Sequence, residues 1–176
     1  RKRGLPNIKS MVEAVETLTT DKAVRLFEKF GIFTRAELES REEILYETYA
    51  KTINIEALTM IDMASKQILP AVIRYTGSLA DTVIAVKEAG VQPHVQVELL
   101  RETSRLLEEA KQALEKLKVE DARAMAMPEG KEQAFYYKDV VKEAMEALRT
   151  PIDALEMIVD KEIWPLPSYA DMMFEV

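Results

Sequence analysis

The stretch from Glu47 to Tyr75 constrains the fold more than any other part of this 176-residue chain. Its apolar residues recur at steps of three and four, the spacing of one face of an α-helix. One such set comprises Tyr49, Ile53, Ala57, Met60, Ala64, Ile68, Ala71 and Tyr75, and a second comprises Ile55, Leu58, Ile61, Leu69 and Val72. A surface helix needs one apolar face, so two faces predict a helix that neighbours cover from more than one side. We therefore expect an all-α fold, an elongated helical bundle around one long central helix.

Composition agrees with a folded helical domain and argues against several other classes. Hydrophobic residues make up 48% of the chain and charged residues 31%, as in folded soluble proteins. Without cysteine, the chain has neither disulfides nor thiolate metal sites, which fits a cytoplasmic protein. It contains no apolar run of the roughly 20 residues that span a bilayer. The net charge of −7 argues against general nucleic-acid binding. We expect no membrane and no nucleic-acid partner.

Two short helices are predicted before the long one. Asn7 or Ser10 can cap the first, and Thr20 or Asp21 can cap the second, because their side-chain oxygens accept bonds from free amides of a first helical turn. Gly31 follows the second helix, where glycine enters the left-handed conformation at little cost.

The long helix begins with a capping box, Thr34-Arg35-Ala36-Glu37. Pro70 interrupts the hydrogen-bond pattern and should kink the helix, because proline lacks an amide donor and crowds the preceding turn. Apolar spacing nevertheless continues, so we expect a bent or interrupted helix that reaches about Ala89. Gly77 and Ser78 are the expected position of any true break.

A turn at residues 90–93 separates the long helix from two helices with matching apolar seams. The first seam comprises Leu100, Thr103, Leu107, Ala110, Leu114 and Leu117, and the second comprises Ala134, Tyr137, Val141, Ala144, Leu148, Leu155 and Ile158. Two seams joined by the connection 119–130 predict an antiparallel helical hairpin. Pro151 should either kink the second helix or begin a separate short one.

After the hairpin, two closely spaced prolines predict an extended tail, with Trp164 and Tyr169 as anchors on the bundle. We thus expect a single domain over residues 1–176. Its parts are a linker (1–9) that looks like a domain junction, the first helices and central helix (10–90), the hairpin (94–160) and the extended tail (161–176).

Residues that could carry chemistry are few. His94 is the one histidine in the sequence, and its place at a helix entrance favours an exposed or capping role over catalysis. A di-iron bundle needs a Glu-x-x-His pair on each of two helices, which one histidine cannot supply. The acids Glu42, Glu43 and Glu47, and the pair Glu108 and Glu109, are typical of solvated helix faces in an acidic protein.

Four polar residues interrupt the most apolar helix: Asn54, Glu56, Thr59 and Asp62. We expect them to pair within the bundle or with an adjoining domain, because buried polar groups are normally hydrogen-bonded. No glycines stand in a phosphate-loop arrangement. We therefore assign no catalytic, cofactor-binding or metal-binding residue, and the residues by themselves indicate a helical domain without an active site.

The central stretch also resembles a known family. Tyr49, the run Lys51-Thr52-Ile53-Asn54-Ile55-Glu56-Ala57-Leu58-Thr59-Met60-Ile61-Asp62-Met63-Ala64 and the run Gln67-Ile68-Leu69-Pro70-Ala71 closely resemble the C-terminal helical region of type III glutamine synthetases. Further similarity lies at Arg3-Gly4-Leu5-Pro6-Asn7, at Lys29, Gly31, Phe33-Thr34, Glu37-Leu38 and Arg41, and at Lys161-Glu162-Ile163-Trp164-Pro165-Leu166-Pro167-Ser168-Tyr169. From about Thr76 to Gly130 the likeness is one of helical character alone.

The resemblance implies a ligase parent that joins glutamate and ammonia with ATP and Mg²⁺ or Mn²⁺, and that assembles into homo-oligomeric rings. Its ligand motifs lie on an upstream catalytic core, and none of them matches a position in this sequence. The implied role is structural and oligomeric, with that catalytic domain and neighbouring subunits as partners, and we expect the chain alone to be inactive. Two alternatives are a free-standing helical interaction module and a small helical metalloenzyme.

Overall fold

The computed structural model describes residue 4 and the ranges 7–167 and 169–174, and it contains no strand among them. The predicted all-α class is confirmed. The helices are α1 (Met11–Val15), α2 (Asp21–Lys29), α3 (Arg35–Met63), α4 (Leu69–Glu88), α5 (His94–Met125), α6 (Lys131–Tyr136), α7 (Lys142–Glu156) and α8 (Tyr169–Phe174).

Side-chain caps fix the beginnings of the first three helices. The Ser10 hydroxyl accepts a bond from the Glu13 amide, and Thr20 does the same for Ala23, so the structure selects Ser10 and Thr20 from the predicted alternatives. At α3, the Thr34 amide donates to Glu37 Oε2 at 2.8 Å while the Glu37 amide donates to Thr34 Oγ1 at 3.4 Å. The predicted capping box is therefore confirmed.

The long helix passes its proline by changing its hydrogen-bond register. A π-helical turn at Ala64–Ile68 joins α3 to α4, and the Leu69 amide donates to the Ala64 carbonyl, five residues back. This wider turn ends two residues before Pro70, where the regular bonding pattern would otherwise lose a donor. The predicted break at Gly77 and Ser78 is wrong, because α4 runs unbroken to Glu88, and the predicted end near Ala89 is confirmed.

The chain divides into two compact units, which we describe separately. The first consists of residues 1–57 and 120–143. Its hydrophobic core contains the buried residues Val12, Val15, Tyr46 and Ala134, against which Leu18, Leu45, Tyr49 and Phe135 pack. Val12 and Val15 of α1 are thus buried, whereas Met11 is exposed.

The second unit consists of residues 58–119 and 144–176. Its buried positions include much of both predicted seams: Thr103, Ala110, Leu114, Leu117, Ala144, Leu148 and Leu155 are all 1% exposed or less. Leu106, which the seam did not include, is buried too. On α4, Ala71 and Val72 are fully buried.

The hairpin connection is shorter than expected. Helix α5 continues to Met125, so the predicted connection 119–130 shrinks to residues 126–130. A second π-helical turn at Tyr137–Val141 joins α6 to α7. Helix α7 then runs through the buried Pro151, and the alternative of a separate helix beginning there is wrong.

The tail is only partly extended. Residues 161–167 form no helix, but α8 follows them inside the segment predicted to be extended, so that part of the prediction is wrong. Trp164 is partly buried, as an anchor would be. The predicted anchoring role of Tyr169, like the linker residues Arg1 to Arg3, lies outside what the structure describes.

One expectation about the central stretch fails over part of its length. The first apolar set is buried at Ile53, Ala57 and Ala64, but Ile55 is 64% exposed and Leu58 45% exposed. Here α3 has one covered face and one open face within the described chain. The second apolar set is buried only further on, at Leu69 and Val72.

Candidate functional site

A small polar pocket in the first unit lies beside Asn54, one of the polar residues that interrupt the central helix. The pocket measures about 210 Å³, and its lining comprises Ala50, Lys51, Asn54, Met125, Glu129, Gln133 and Tyr137. Asn54 Oδ1 is buried and accepts no hydrogen bond from the described residues. An acceptor in that position can hold a water molecule or another donor inside the pocket.

Ion pairs with nearby carboxylates determine the charge state of Lys51 in this pocket. Lys51 Nζ lies 3.2 Å from Glu47 and 3.7 Å from Glu129. The hydrogen bond to Glu47 raises the pKa of Lys51, and burial raises the pKa of Tyr137 to about 12. Both groups therefore stay protonated at neutral pH, and neither can act there as a general base.

Gln133 of α6 forms hydrogen bonds to the end of α5, next to this pocket. Its Nε2 group donates to the Ala124 carbonyl at 3.0 Å and to the Met127 carbonyl at 3.4 Å. These carbonyls lie at the end of α5 and just beyond it, and the Ala124 carbonyl also accepts a bond from the Met127 amide at 3.2 Å. Gln133 is only 8% exposed, and the sequence analysis did not single it out.

A second link of the hairpin joins Tyr136 to α5. The Tyr136 hydroxyl donates to Glu120 at 2.6 Å, and Arg123 Nη1 donates to the same carboxylate at 2.9 Å. The pairs 136–120 and 133–124 have nearly the same sum of residue numbers, which is the register of two antiparallel segments. The predicted antiparallel arrangement is confirmed at this end of the hairpin.

Asp121, one residue after Glu120, is the most deeply buried acid that the structure describes. It is 3% exposed, its Oδ1 atom has no hydrogen-bond partner among the described residues, and burial raises its pKa. Its negative charge contributes to the raised pKa of Tyr137. Sequence reasoning missed this residue, although Asp121 continues the seam at Leu114 and Leu117 by one further step of four residues.

Helix α1 is fastened to α6 and to the following turn by two ion pairs. Lys131 lies 2.6 Å from Glu16, and Lys138 lies 2.8 Å from Glu13. Both ammonium groups also lie within 6 Å of the Phe135 ring, at 5.9 and 5.4 Å from its centroid. Cation–π and ionic contacts therefore share the same two lysines.

His94 is the first residue of α5 and is exposed, as predicted. It lines an open groove of about 900 Å³ together with Lys87, Pro93 and Arg101. The Glu98 and Glu102 carboxylates line the same groove. A single imidazole surrounded by charges of both signs does not form a catalytic site.

The acids considered in the sequence have ordinary surface surroundings. Glu108 accepts a bond from Gln112, Glu109 pairs with Arg105, and Glu42 accepts a bond from the Tyr46 hydroxyl. Glu56 and Asp62 are exposed, and Asp62 pairs with Lys66 one turn further along the helix. In the described part of the chain, no group of three or more histidine, cysteine or acidic residues could hold a metal ion. No described helix is both long enough and apolar enough to span a membrane.

Comparison with known proteins gives a consistent result. The sequence profile of the glutamine synthetase C-terminal domain matches residues 1–87. A glutamine synthetase of Butyrivibrio fibrisolvens is 33% identical over 177 residues, which cover 99% of this chain and 25% of that protein. The type-3 glutamine synthetase of Dictyostelium discoideum is 31% identical over 99% of this chain and 24% of its own length.

A third relative is the glutamine synthetase of Bacteroides fragilis (strain YCH46), 31% identical over 98% of this chain and 25% of its own length. The chain thus spans about a quarter of the length of the curated relatives it matches. Their similarity extends through the hairpin and tail, beyond the residues that the family profile covers. The chain belongs to the glutamine synthetase family, and within it corresponds to the C-terminal domain.

Proposed function

We propose that this chain is a non-catalytic structural and oligomerisation domain of an ATP-dependent glutamate–ammonia ligase of the type III class. ATP, glutamate and Mg²⁺ or Mn²⁺ would bind to the rest of the polypeptide, which accounts for about three quarters of each relative. The partners would be that catalytic region and neighbouring subunits of a homo-oligomeric ring in the cytoplasm.

The observation that carries this proposal is the exposure of large apolar side chains on α3 and on α4. Ile55 and Leu58 on α3 are 64% and 45% exposed, and Ile73 and Ile84 on α4 are 58% and 55% exposed. Ile73 and Ile84 are separated by eleven residues, about three helical turns, so they lie on one face of α4. Large side chains repeated along one face favour a surface that another part of the protein covers.

The energetic gain from covering this surface is considerable. Complete burial of one isoleucine or leucine side chain stabilises a protein by about 1.5–3 kcal/mol. These four residues are already about half exposed, so a partner would contribute roughly half of that amount at each position. A contact of this kind can hold the domain against a catalytic region without any group of the domain entering the reaction.

The decisive experiment compares the full-length ligase with a form truncated before Gly4. We expect the truncated form to lose both subunit assembly, measured by sedimentation velocity, and glutamine synthesis. Full assembly without this domain would contradict the proposed structural role.

A point-substitution version tests the exposed face directly. Replacing Ile55 and Ile73 by aspartate should weaken assembly and activity of the full-length ligase, because each substitution puts a charge into the covered surface. Replacing Met157 by aspartate provides a control, since Met157 is 85% exposed and directly follows α7. Equal effects of all three substitutions would count against a specific contact on α3 and α4.

The alternative is a free-standing helical interaction module. It would be favoured if the reading frame upstream of Arg1 encoded no β-rich catalytic core. The same result would contradict the proposal that this chain is part of a glutamate–ammonia ligase.

A further inference from the structure

Helix α2 presents two adjoining strips on its exposed side. Lys22, Arg25 and Lys29 form a basic strip, while Leu26 and Phe30 form an apolar strip that is 54% and 65% exposed. At about 100° per residue, the three basic positions fall within an arc of about 60°, and the two apolar positions lie directly beside it. Lys22, Arg25, Leu26 and Lys29 line a shallow depression of about 300 Å³.

The cations of this strip have no carboxylate partner among the described residues. Arg25 Nε donates to the Asp21 backbone carbonyl at 3.1 Å, and Lys29 Nζ lies 5.7 Å from the centroid of the Phe30 ring. On a chain of net charge −7, an unpaired basic strip beside exposed leucine and phenylalanine is a local reversal of the surface charge. Such a combination fits an acidic surface that also offers an apolar side chain.

The first half of α3 has this complementary character. Glu39, Glu43 and Glu47 recur every four residues and form an acidic strip, with Ile44, 57% exposed, next to it. Glu43 and Glu47 also border an acidic groove of about 630 Å³ to which Glu42 and Glu129 belong. From Lys22 to Lys29 the basic strip is about 10 Å long, and from Glu39 to Glu47 the acidic strip is about 12 Å long.

We propose that the basic and apolar strips of α2 dock on the acidic strip and Ile44 of α3 in a second copy of this chain. Three cations would face three carboxylates, and Leu26 and Phe30 would cover Ile44. Within its own chain Glu39 also lies 3.9 Å from Arg35, and Glu47 lies 3.2 Å from Lys51. A second copy fits better than an anionic membrane or nucleic acid, because the remaining surface of an acidic protein repels both. The inference rests on the proposed oligomeric role and names the surfaces through which it would act.

The test is a charge exchange, measured as self-association of the 176-residue chain by sedimentation equilibrium. Reversal of α2 (Lys22→Glu, Arg25→Glu, Lys29→Glu) should weaken association about tenfold or more, because three attractive pairs become repulsive. Reversal of α3 (Glu39→Lys, Glu43→Lys, Glu47→Lys) should weaken it similarly. Combining both sets in one chain should restore association to within about threefold of the wild type.

A matched control reverses three exposed cations elsewhere: Arg74→Glu, Lys116→Glu and Lys142→Glu. This variant carries the same change of net charge and should associate like the wild type. Replacing Leu26 and Phe30 by serine tests the apolar strip, and its effect should persist in high salt, where the effect of charge reversal fades. Circular dichroism checks that each variant keeps its helices. If the variant with reversed charges on α2 is unfolded, the variant with reversed charges on α3 and the serine variant still test the inference.

Three results would overturn the inference. They are a wild type that does not self-associate, a combined variant as weak as either single reversal, and a control as weak as the α2 reversal. Binding of the chain to vesicles of phosphatidylserine and phosphatidylcholine, abolished by the α2 reversal, would assign α2 to a membrane surface instead. Loss of assembly in the truncated ligase with no effect of charge exchange would refute this inference and leave the proposed function standing.

Discussion

Replacing Gln133 by methionine tests whether one buried amide holds the hairpin connection together. Methionine has nearly the same length and volume but cannot donate to the Ala124 and Met127 carbonyls. Both acceptors lie where α5 ends, and the Ala124 carbonyl also accepts a bond from the Met127 amide at 3.2 Å. The substitution therefore removes hydrogen bonds while leaving the packing almost unchanged.

The expected cost follows from the two bonds. A buried hydrogen bond contributes about 0.5–1.5 kcal/mol net, and the Ala124 carbonyl keeps its bond from the Met127 amide when Gln133 is replaced. The bond to Ala124, 3.0 Å long and buried, should dominate, whereas the bond to Met127 is 3.4 Å long and only partly buried. We expect a loss of about 1 kcal/mol in the free energy of unfolding. For a chain of this length, that loss lowers the melting temperature by about 2–4 °C.

The assay is thermal and urea unfolding followed by circular dichroism, with Gln112→Met as the control. Gln112 Nε2 donates to Glu108 at 3.3 Å on the exposed face of α5, so its replacement should change stability by less than about 0.5 kcal/mol. If Gln133→Met unfolds at the same temperature as the wild type, or if both variants lose equal stability, the carbonyls at the end of α5 do not depend on Gln133. The reasoning would then be refuted.

Three further predictions concern other parts of the fold. Thr34→Ala should cost about 1 kcal/mol in unfolding free energy, because it removes the cap of α3; calorimetry would contradict this if the melting temperature stayed unchanged. Leu114→Ala, at a position 1% exposed, should cost about 2–5 kcal/mol in urea unfolding, whereas Leu26→Ala, at an exposed position, should cost less than about 0.5 kcal/mol. Burial raises the pKa of Asp121, so the folded state binds its proton more tightly than the unfolded state. This contribution to stability is present below the ordinary aspartate pKa and is lost as pH rises through the raised value. Asp121→Asn should therefore gain stability relative to the wild type as pH rises through that window, and a difference independent of pH would exclude an ionising Asp121.

Local rules predicted the helix beginnings well. Thr34 and Glu37 are three residues apart, and their mutual bonds depend only on the first turn of α3. The sequence correctly predicts that Pro70 disturbs the long helix, but local preference does not predict how the helix accommodates it. The chain accommodates it with a π-helical turn before the proline, and Gly77 stays helical despite its low helix propensity. Continuous packing of α4 residues such as Val72 and Val83 overrides that preference.

The polar site was predicted only in part. Asn54 stood out because it interrupts an apolar helix, and it does line a pocket. Gln133 gave no signal, because its role depends on which segment lies opposite it, whereas Asp121 continues the spacing of the seam at Leu114 and Leu117 and was overlooked. The exposure of Ile55 and Leu58 was missed for the same reason: periodicity shows that a face is apolar, and does not show whether the covering surface belongs to this chain.

The sequence by itself determined the helical class, the capped helix beginnings and the family, because each depends on residues close together in the chain or on a long run of identities. Tertiary structure alone decided which apolar faces are covered, how the chain passes Pro70 and which polar groups meet at the hairpin. Those outcomes depend on contacts between residues far apart in sequence, and the spacing of residues along one helix carries no information about its neighbours.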